Sequence, residues 1–247
     1  ALILTMAFIL SSCKKEEEKE PSIPPSPPSP SPTSSIGSFF SNNVTSATQS
    51  FTIDASSGGY IQGAEGATVY FFANSFVDQS GAPVTGNVDI ELIEVYDQAA
   101  MVLLNKTTTA GGQLLVSGGE FKITITQNSN ALELAPGAQY WGRIPTQNPD
   151  NQMGIFYADE NSDGDLDWVP ADSIGLPDSL NIVPDSLQNG YTYDFYGSEL
   201  GWINCDYFYN DPSPKTTLEV VTASPHDNSN TVVYIHASTF NSVAPLN

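Results

Sequence analysis

Short runs of β-branched and aromatic residues recur about every 8 to 12 positions from residue 39 onward, separated by clusters of Gly, Pro, Asn and Asp. The clearest runs are residues 68–72, 88–96, 121–126, 191–195, 218–222 and 231–237. This spacing is typical of short strands joined by turns, and only residues 96–105 have the pattern of a short helix. The chain is therefore predicted to be all-β from residue 39 onward.

Alternation within these runs predicts which face of each strand is buried. In residues 120–126 the apolar and polar positions alternate, which is the signature of a strand with one face in a core. Phe121, Ile123 and Ile125 are expected to face inward, and Glu120, Lys122 and Thr124 to face outward. Residues 87–92 alternate in the same way. Half-buried strands of this kind predict antiparallel sheets packed as a β-sandwich.

The strand pattern restarts after Pro149, which places a domain boundary near Thr146. We therefore predict two β-sandwich units, residues 39–145 and 146–247. One continuous sandwich is the alternative.

Part of the first predicted unit resembles a known family. Residues 58–72 (GGYIQGAEGATVYFF) and 83–92 (PVTGNVDIEL) resemble the opening of a ZU5-type β-sandwich domain. Residues 201–206 (GWINCD) and 241–243 (NSV) are similar to segments of bacterial surface lipoproteins that carry this type of domain. Because ZU5 modules are non-enzymatic scaffolding and interaction domains, the resemblance implies a binding or structural role.

The N-terminus has the features of an export signal. Residues 1–10 (ALILTMAFIL) are apolar, and the following Leu10-Ser11-Ser12-Cys13 resembles the lipobox of bacterial lipoproteins. We expect residues 1–12 to be a signal peptide, truncated at its start because an initiator Met and a basic segment are missing. Cys13 would then carry the lipid through its sulfur and anchor the protein to a membrane.

The charged residues 14–20 (KKEEEKE) resemble the signal that carries some lipoproteins to the outer surface of the outer membrane. A solvated spacer is the alternative interpretation. Residues 21–35 hold 7 prolines and 6 serines, a composition that cannot form a packed core and favours extended polyproline II. Residues 13–38 are thus predicted to be a disordered, Pro/Ser-rich linker.

The charge balance excludes one class of partner. The 247 residues carry 28 acidic side chains against 7 Lys and Arg, for a net charge of −21. A chain with this charge repels polyanions, so nucleic acid is excluded and anionic lipid headgroups are disfavoured.

An acidic segment predicts a calcium site. Residues 159–167 (DENSDGDLD) place oxygen ligands at positions 1, 3, 5 and 9 around a Gly at position 6, as at the start of an EF-hand loop. The candidate Ca²⁺ ligands are Asp159, Asn161, Asp163, Asp165 and Asp167. The acid expected at position 12 is absent, since Pro170 stands there. The alternative is a solvated hairpin with an Asp163-Gly164 turn between strands at 155–157 and 166–169.

Three Asp-Ser-aliphatic triplets resemble the O-glycosylation acceptor of some exported bacterial proteins. Their serines are Ser173, Ser179 and Ser186. The same residues are ordinary choices at turns and helix caps, and this is the favoured interpretation.

Catalytic residues are scarce in the sequence. Cys205 and His236 could form a nucleophile–base pair, but Cys205 lies in an apolar run and is predicted to be a core thiol. His236 is expected to be partly buried in a strand, and His226 to lie in an exposed turn. With Cys13 lipidated, Cys205 would have no disulfide partner.

The sequence therefore predicts a non-enzymatic, lipid-anchored cell-surface protein that acts as an adhesion, partner-binding or structural module, with calcium as a candidate cofactor. A glycan-binding lipoprotein for nutrient capture is the alternative, and a hydrolase is the third. A glycan binder should carry aromatic side chains on one exposed face, and residues 191–196 (YTYDFY) are the first candidate. A hydrolase should have two carboxyl groups facing each other across a cleft.

Overall fold

The computed structural model describes residues 35–161, 164–186, 189–214, 216–226 and 230–246. The predicted signal peptide, Cys13 and the linker up to residue 34 lie outside the described residues. The helices are α1 (Ile36–Ala47), α2 (Gln98–Leu104) and the 3-10 helix η1 (Ala171–Ile174). The strands are β1 (Gln49–Asp54), β2 (Gly59–Gln62), β3 (Thr68–Phe71), β4 (Phe76–Val77), β5 (Asn87–Val95), β6 (Thr109–Ala110), β7 (Gln113–Gln127), β8 (Asn130–Ala131), β9 (Glu133–Leu134), β10 (Tyr140–Thr146), β11 (Gly154–Glu160), β12 (Leu166–Pro170), β13 (Leu180–Asp185), β14 (Gly190–Gly197), β15 (Gly201–Phe208), β16 (Val233–His236) and β17 (Val243–Leu246).

Two antiparallel sheets dominate the structure, as the alternation predicted. Sheet A has the strand order β1-β5-β7-β15-β11-β12, with β6 and β8 also pairing with β7. Sheet B has the order β13-β14-β10-β3-β2. Two further pairs, β4-β9 and β16-β17, are small.

The predicted division into two sandwich units near Thr146 is wrong. In sheet A, β15 lies between β7 and β11, and in sheet B, β10 lies between β3 and β14. Each sheet therefore takes strands from both sides of the predicted boundary. The alternative of one continuous sandwich describes residues 39–246, because neither half has a complete sheet of its own.

The main core lies between the inward faces of the two sheets. Val88, Ile90 and Leu92 of β5 are fully buried there, while the polar residues between them are exposed, as predicted. The Phe121 ring of sheet A stacks on the Phe195 ring of sheet B, with centroids 6.0 Å apart. Alternation with period two thus correctly identified the face that each of these strands buries.

A second apolar cluster covers the outer face of sheet A. Met101 and Leu104 of α2 pack there with Val243 of β17, Trp168 and Trp202. The part of sheet A beneath this cluster is consequently buried on both faces, while the outward side chains at the start of β5 stay exposed. The outer face of sheet B carries exposed side chains, which leaves it available for contacts.

Glu120 departs from the predicted alternation. It was expected to face solvent, but it is fully buried on the covered outer face of sheet A, opposite Asn204 of β15. The alternation correctly placed Glu120 on the opposite face from Phe121. Only the second apolar layer makes that face an interior one.

The helices confirm one expectation and correct another. Helix α2 lies within residues 96–105, where a helix was predicted, and the Asp97 carboxylate caps it by accepting from the Ala100 N–H at 2.8 Å. Helix α1 occupies residues that were assigned to the end of the linker and the start of the first sandwich unit. Ser35 caps it by accepting from the Ser38 N–H at 3.1 Å.

Residues 218–222 were predicted to be a strand and are irregular, with large exposed side chains at Leu218, Val220 and Val221. No helix among the described residues is long and apolar enough to cross a membrane.

Candidate functional site

The acidic segment forms the tip of the β11–β12 hairpin, as the alternative interpretation of this segment predicted. Asp159 pairs directly with Asp167 in the register of the two strands. Gly164 has a φ of +84°, a left-handed conformation that glycine adopts without strain. Asp163, the central candidate ligand, lies outside the described residues.

Three of the remaining candidate calcium ligands accept hydrogen bonds from protein groups. The Asp165 carboxylate accepts from the Asn105 side-chain amide at 3.0 Å, and Asp167 accepts from the Gly111 N–H at 2.8 Å. The Asn161 side-chain oxygen accepts from the Asp165 N–H at 3.0 Å. In the described part of the chain, no group of three or more His, Cys, Asp or Glu is placed to hold a metal. Calcium binding stays a prediction.

Two lysines supply positive charge to this hairpin. Lys106 and Lys122 donate to opposite oxygens of the Glu160 carboxylate at 2.9 and 2.8 Å, and Lys106 also donates to the Gly164 carbonyl at 2.7 Å. Partial burial would raise the pKa of Glu160, but hydrogen bonds from Lys122, Trp202 and Lys106 lower it to about 2. The carboxylate is therefore charged and paired at neutral pH.

The three predicted glycosylation serines are exposed but are placed in separate local structures. Ser173 lies in η1 and donates to the Pro170 carbonyl at 2.7 Å, Ser179 immediately precedes β13, and Ser186 lies in the turn after β13. These positions agree with the turn interpretation. Glycosylation itself stays a prediction.

The potential Cys205–His236 pair is not assembled for catalysis. Cys205 is fully buried in the main core, as predicted, and burial raises the pKa of its thiol well above the usual value. A thiol in this environment is a poor nucleophile. His236 is exposed rather than partly buried, and His226 is exposed as expected.

A pocket of about 550 Å³ lies between the loop after β10 and the C-terminal segment near Asn241. Its lining includes two acids, Asp97 and Asp150. Both carboxylates accept hydrogen bonds from nearby backbone N–H groups. Asp97 caps α2 by accepting from Ala100, and Asp150 accepts from the Gln152 N–H at 2.9 Å. The pocket has a mixed polar and apolar lining without a paired acid and base of the kind that a glycosidase needs.

The most distinctive surface feature is a row of aromatic side chains on the outer face of sheet B. Trp141 of β10 pairs directly with Tyr196 of β14 on one side and with Tyr70 of β3 on the other. Tyr70 in turn pairs with Tyr60 of β2. Directly opposed residues of antiparallel strands project to the same face, so the four rings form one continuous line across four strands. We call these four residues the aromatic row.

The aromatic row is accessible to solvent. Tyr60 is 70% exposed, Tyr196 46% and Tyr70 37%, while Trp141 in the middle is half-buried. With neighbouring strands about 4.8 Å apart, the row spans about 14 Å. Phe72 continues the aromatic surface beside Tyr70, with ring centroids 5.0 Å apart. Exposed apolar surface of this extent is typical of an interaction site.

A line of polar side chains runs beside the aromatic row, two residues further along each strand. It consists, in register order, of Gln62, Thr68, Arg143, Asp194 and Asn181. We call these five residues the polar row. Since two strand residues advance by about 6.8 Å, the two rows run parallel and close together.

The centre of the polar row is held rigidly. Arg143 donates from Nε and Nη2 to the two oxygens of Asp194, at 2.9 and 2.8 Å. Thr192 also donates to Asp194 at 2.7 Å, and the Arg143 guanidinium lies 4.8 Å from the centre of the Trp141 ring. The hydrogen bonds to Asp194 raise the pKa of Arg143, so the guanidinium keeps its charge.

The aromatic row differs from the aromatic face expected from residues 191–196. Tyr193 and Phe195 are fully buried in the main core, and Tyr196, which has the opposite parity, is the exposed ring on the outer face of sheet B. The sequence analysis did not single out the other rings of the aromatic row, although alternation could have identified some as outward-facing. Tyr70, for example, stands between the buried Val69 and Phe71. Their alignment depends on the register between strands far apart in the sequence, which local alternation does not contain.

No protein-family model, no curated protein and no solved structure matches the chain. The resemblance to ZU5-type domains and to surface lipoproteins stays a prediction from the sequence. The geometry of the exposed face of sheet B is therefore the basis for assigning a function.

Proposed function

We propose that this protein is a non-enzymatic, lipid-anchored cell-surface module that binds glycans on the outer face of sheet B. The observation that carries this proposal is the aromatic row with the polar row beside it. Binding of a protein partner was the first functional expectation from the sequence. The continuous line of exposed rings favours the glycan alternative.

The chemistry of sugars fits the two rows. The C–H faces of a pyranose ring are apolar and pack flat on an aromatic ring, while the hydroxyl groups point outward from the ring edge. A surface for such a ligand needs a flat aromatic strip with hydrogen-bonding groups along its side. The aromatic row supplies the strip, and the amide, hydroxyl and guanidinium groups of the polar row supply the donors and acceptors.

A binding role also fits the chemistry of the rest of the described chain. The Cys205 thiol is buried, and the two acids of the 550 Å³ pocket are engaged with local backbone. A flat, open face on a rigid sheet suits capture of an extended ligand. Catalysis instead needs groups that converge around a reacting atom.

The N-terminal sequence supports a location at the cell surface. We propose that lipid on Cys13 anchors the protein to the outer membrane and that the Pro/Ser-rich segment holds the sandwich away from the bilayer. At about 3.1 Å per residue in polyproline II, the 15 residues 21–35 would reach up to roughly 45 Å. The placement at the cell exterior would present the aromatic row to polysaccharides in the medium or on neighbouring cells.

The glycan proposal predicts that a single exposed ring controls binding. In affinity electrophoresis through gels containing neutral or acidic polysaccharides, the 247-residue protein should be retarded by at least one of them. Tyr196→Ala should weaken the apparent affinity about fivefold, since stacking of one ring contributes on the order of 1 kcal/mol.

Tyr191→Ala is the matched control. Tyr191 is on the same strand and is 41% exposed, against 46% for Tyr196, but it projects to the opposite face. Its loss should leave retardation unchanged. Equal effects of both substitutions, or a protein that no polysaccharide retards, would contradict the proposal.

Protein-partner binding is the second candidate, and one observation favours it. Leu218, Val220 and Val221 form an exposed apolar segment, in which Val221 is 84% exposed. An adhesion role through this segment predicts that Val221→Asp abolishes cell–cell aggregation while glycan retardation is kept. Loss of both activities would argue against two separate surfaces.

A further inference from the structure

The charge of the polar row indicates which glycans the aromatic row can accept, an inference that rests on the proposed function. Arg143 is the only Lys or Arg within the five strands of sheet B. Its charge is matched by the bidentate contact with Asp194. The glycan face therefore presents no uncompensated positive charge from its own strands.

A further negative charge lies near this ion pair. Asp185 of β13 also acts electrostatically on Arg143 and contributes to its raised pKa. The chain as a whole has a net charge of −21. An approaching uronic acid or sulfated sugar would be repelled at long range and would find its best cationic partner already occupied.

The shape of the aromatic row restricts the ligand as well. Its rings follow one line of about 14 Å at intervals of about 4.8 Å, set by the spacing of the strands. A linear chain of sugars with equatorial substituents keeps a flat C–H face along its length and can contact successive rings. The Arg143 guanidinium has five N–H donors, of which the ion pair uses two, so it can still donate to hydroxyl groups at the edge of the chain.

We propose that the aromatic row binds linear, neutral glycans of β-linked hexopyranoses and that the Arg143–Asp194 pair excludes acidic ones. Arg143 and Asp194 thus determine specificity in two ways. Arg143 offers hydrogen bonds to neutral hydroxyl groups, and its neutralisation by the buried Asp194 withholds a counter-charge from carboxylates and sulfates.

The test uses two soluble polymers with one backbone. Hydroxyethyl cellulose is neutral and carboxymethyl cellulose is anionic, so affinity electrophoresis of the 247-residue protein in each isolates the effect of charge. We expect retardation in hydroxyethyl cellulose to be stronger by about tenfold in apparent affinity. Added salt should narrow the difference, because it screens the long-range repulsion.

Asp194→Asn gives the sharper result. The substitution keeps the size of the side chain but leaves Arg143 without its counter-charge, so binding of carboxymethyl cellulose should appear or rise about tenfold. Asp89→Asn removes one negative charge from an exposed position of β5 in sheet A. Binding of both polymers should be the same in this variant as in the unmodified protein. The unfolding midpoint of each variant verifies that the sandwich is intact.

Each outcome separates the inference from the proposed function. Equal or stronger binding of carboxymethyl cellulose by the unmodified protein, still lost in Tyr196→Ala, would overturn the selectivity and keep glycan binding. Retardation by α-linked mannan but by neither cellulose derivative would overturn the linear β-linked ligand alone. No retardation by any polysaccharide would overturn the proposed function and with it the inference.

Discussion

Two acidic side chains on neighbouring strands, Glu120 of β7 and Asp206 of β15, are completely buried. The Asn204 side-chain amide lies between them and donates to one oxygen of Glu120 at 3.2 Å and to one of Asp206 at 2.8 Å. The other oxygen of each carboxyl group has no hydrogen-bond partner among the described residues. Burial raises the pKa of both groups well above their usual values, and the negative charge of Asp206 raises that of Glu120 further.

This pair should make the protein less stable as the pH rises. Below about pH 4 both groups are protonated in the folded and the unfolded chain, and their titration contributes nothing to stability. Above that value the unfolded chain releases protons that the folded chain retains. The free energy of unfolding therefore falls as the pH rises from about 4 through the raised pKa values.

Asp206→Asn should remove part of this dependence. At pH 8 we expect a gain on the order of 2 kcal/mol, or a midpoint about 4–8 °C higher, because an uncharged amide replaces a buried acid. Thermal unfolding at pH 4 and pH 8 measures the effect, which should be much smaller at pH 4. Asp172→Asn, at an exposed position, is the control. A loss of stability at pH 8 would show that Asp206 is held as a favourable charge.

At the scale of elements, the β11–β12 hairpin has a sequence that resembles a calcium-binding loop, but its side chains bond to protein groups. Its acidic side chains meet donors from another part of the chain, namely Asn105, Lys106 and Gly111. Lys106 is almost completely buried, which strengthens its attraction to the Glu160 carboxylate. These donors stabilise the negative charges of the hairpin, as a bound cation would.

From these contacts we expect calcium to change the thermal stability of the protein only slightly. We expect the unfolding midpoint in millimolar Ca²⁺ to differ from that in EDTA by less than about 2 °C, because the cation would have to displace existing donors. Saturating calcium at about 100 times its dissociation constant would instead contribute about 2.7 kcal/mol, or about 5–10 °C. A shift of that size, abolished by Asp165→Ala, would establish the calcium site predicted from the sequence.

At the scale of the whole molecule, the strand order makes the sandwich one cooperative structure. The chain crosses repeatedly between sheets, and the longest strand, β7, pairs with β5 on one side and with β15 on the other. The inward faces of both sheets contribute to a single core. Removing the residues after β10 would take β11, β12 and β15 from sheet A and β13 and β14 from sheet B.

We therefore expect one unfolding transition for the sandwich and no independent folding of residues 35–146. Calorimetry should give a single peak with matching calorimetric and van't Hoff enthalpies. The isolated fragment should show rapid proteolysis and little chemical-shift dispersion, because half of its core would be exposed. A folded fragment, or two resolved transitions, would restore the two-unit organisation.

Local patterns in the sequence determined the secondary structure class and much of its detail. The period-two alternation in residues 87–92 and 121–126 correctly identified the buried face of each strand, and residues 96–105 contain the helix that was expected there. Alternation has this power because neighbouring side chains of a strand always project to opposite faces. The apolar run around Cys205 correctly predicted a core thiol.

Contacts between distant segments decided the rest. A second apolar layer buries Glu120, and strand order joins the two predicted units into one sandwich. Register aligns four rings that lie far apart in the sequence, those of Tyr60, Tyr70, Trp141 and Tyr196. A shift of one residue in any of these pairings would turn a ring toward the core, and burial of the main core selects the register. The sequence by itself therefore determined the β class and the buried face of its most regular strands, and only the tertiary structure brought their exposed rings into one row.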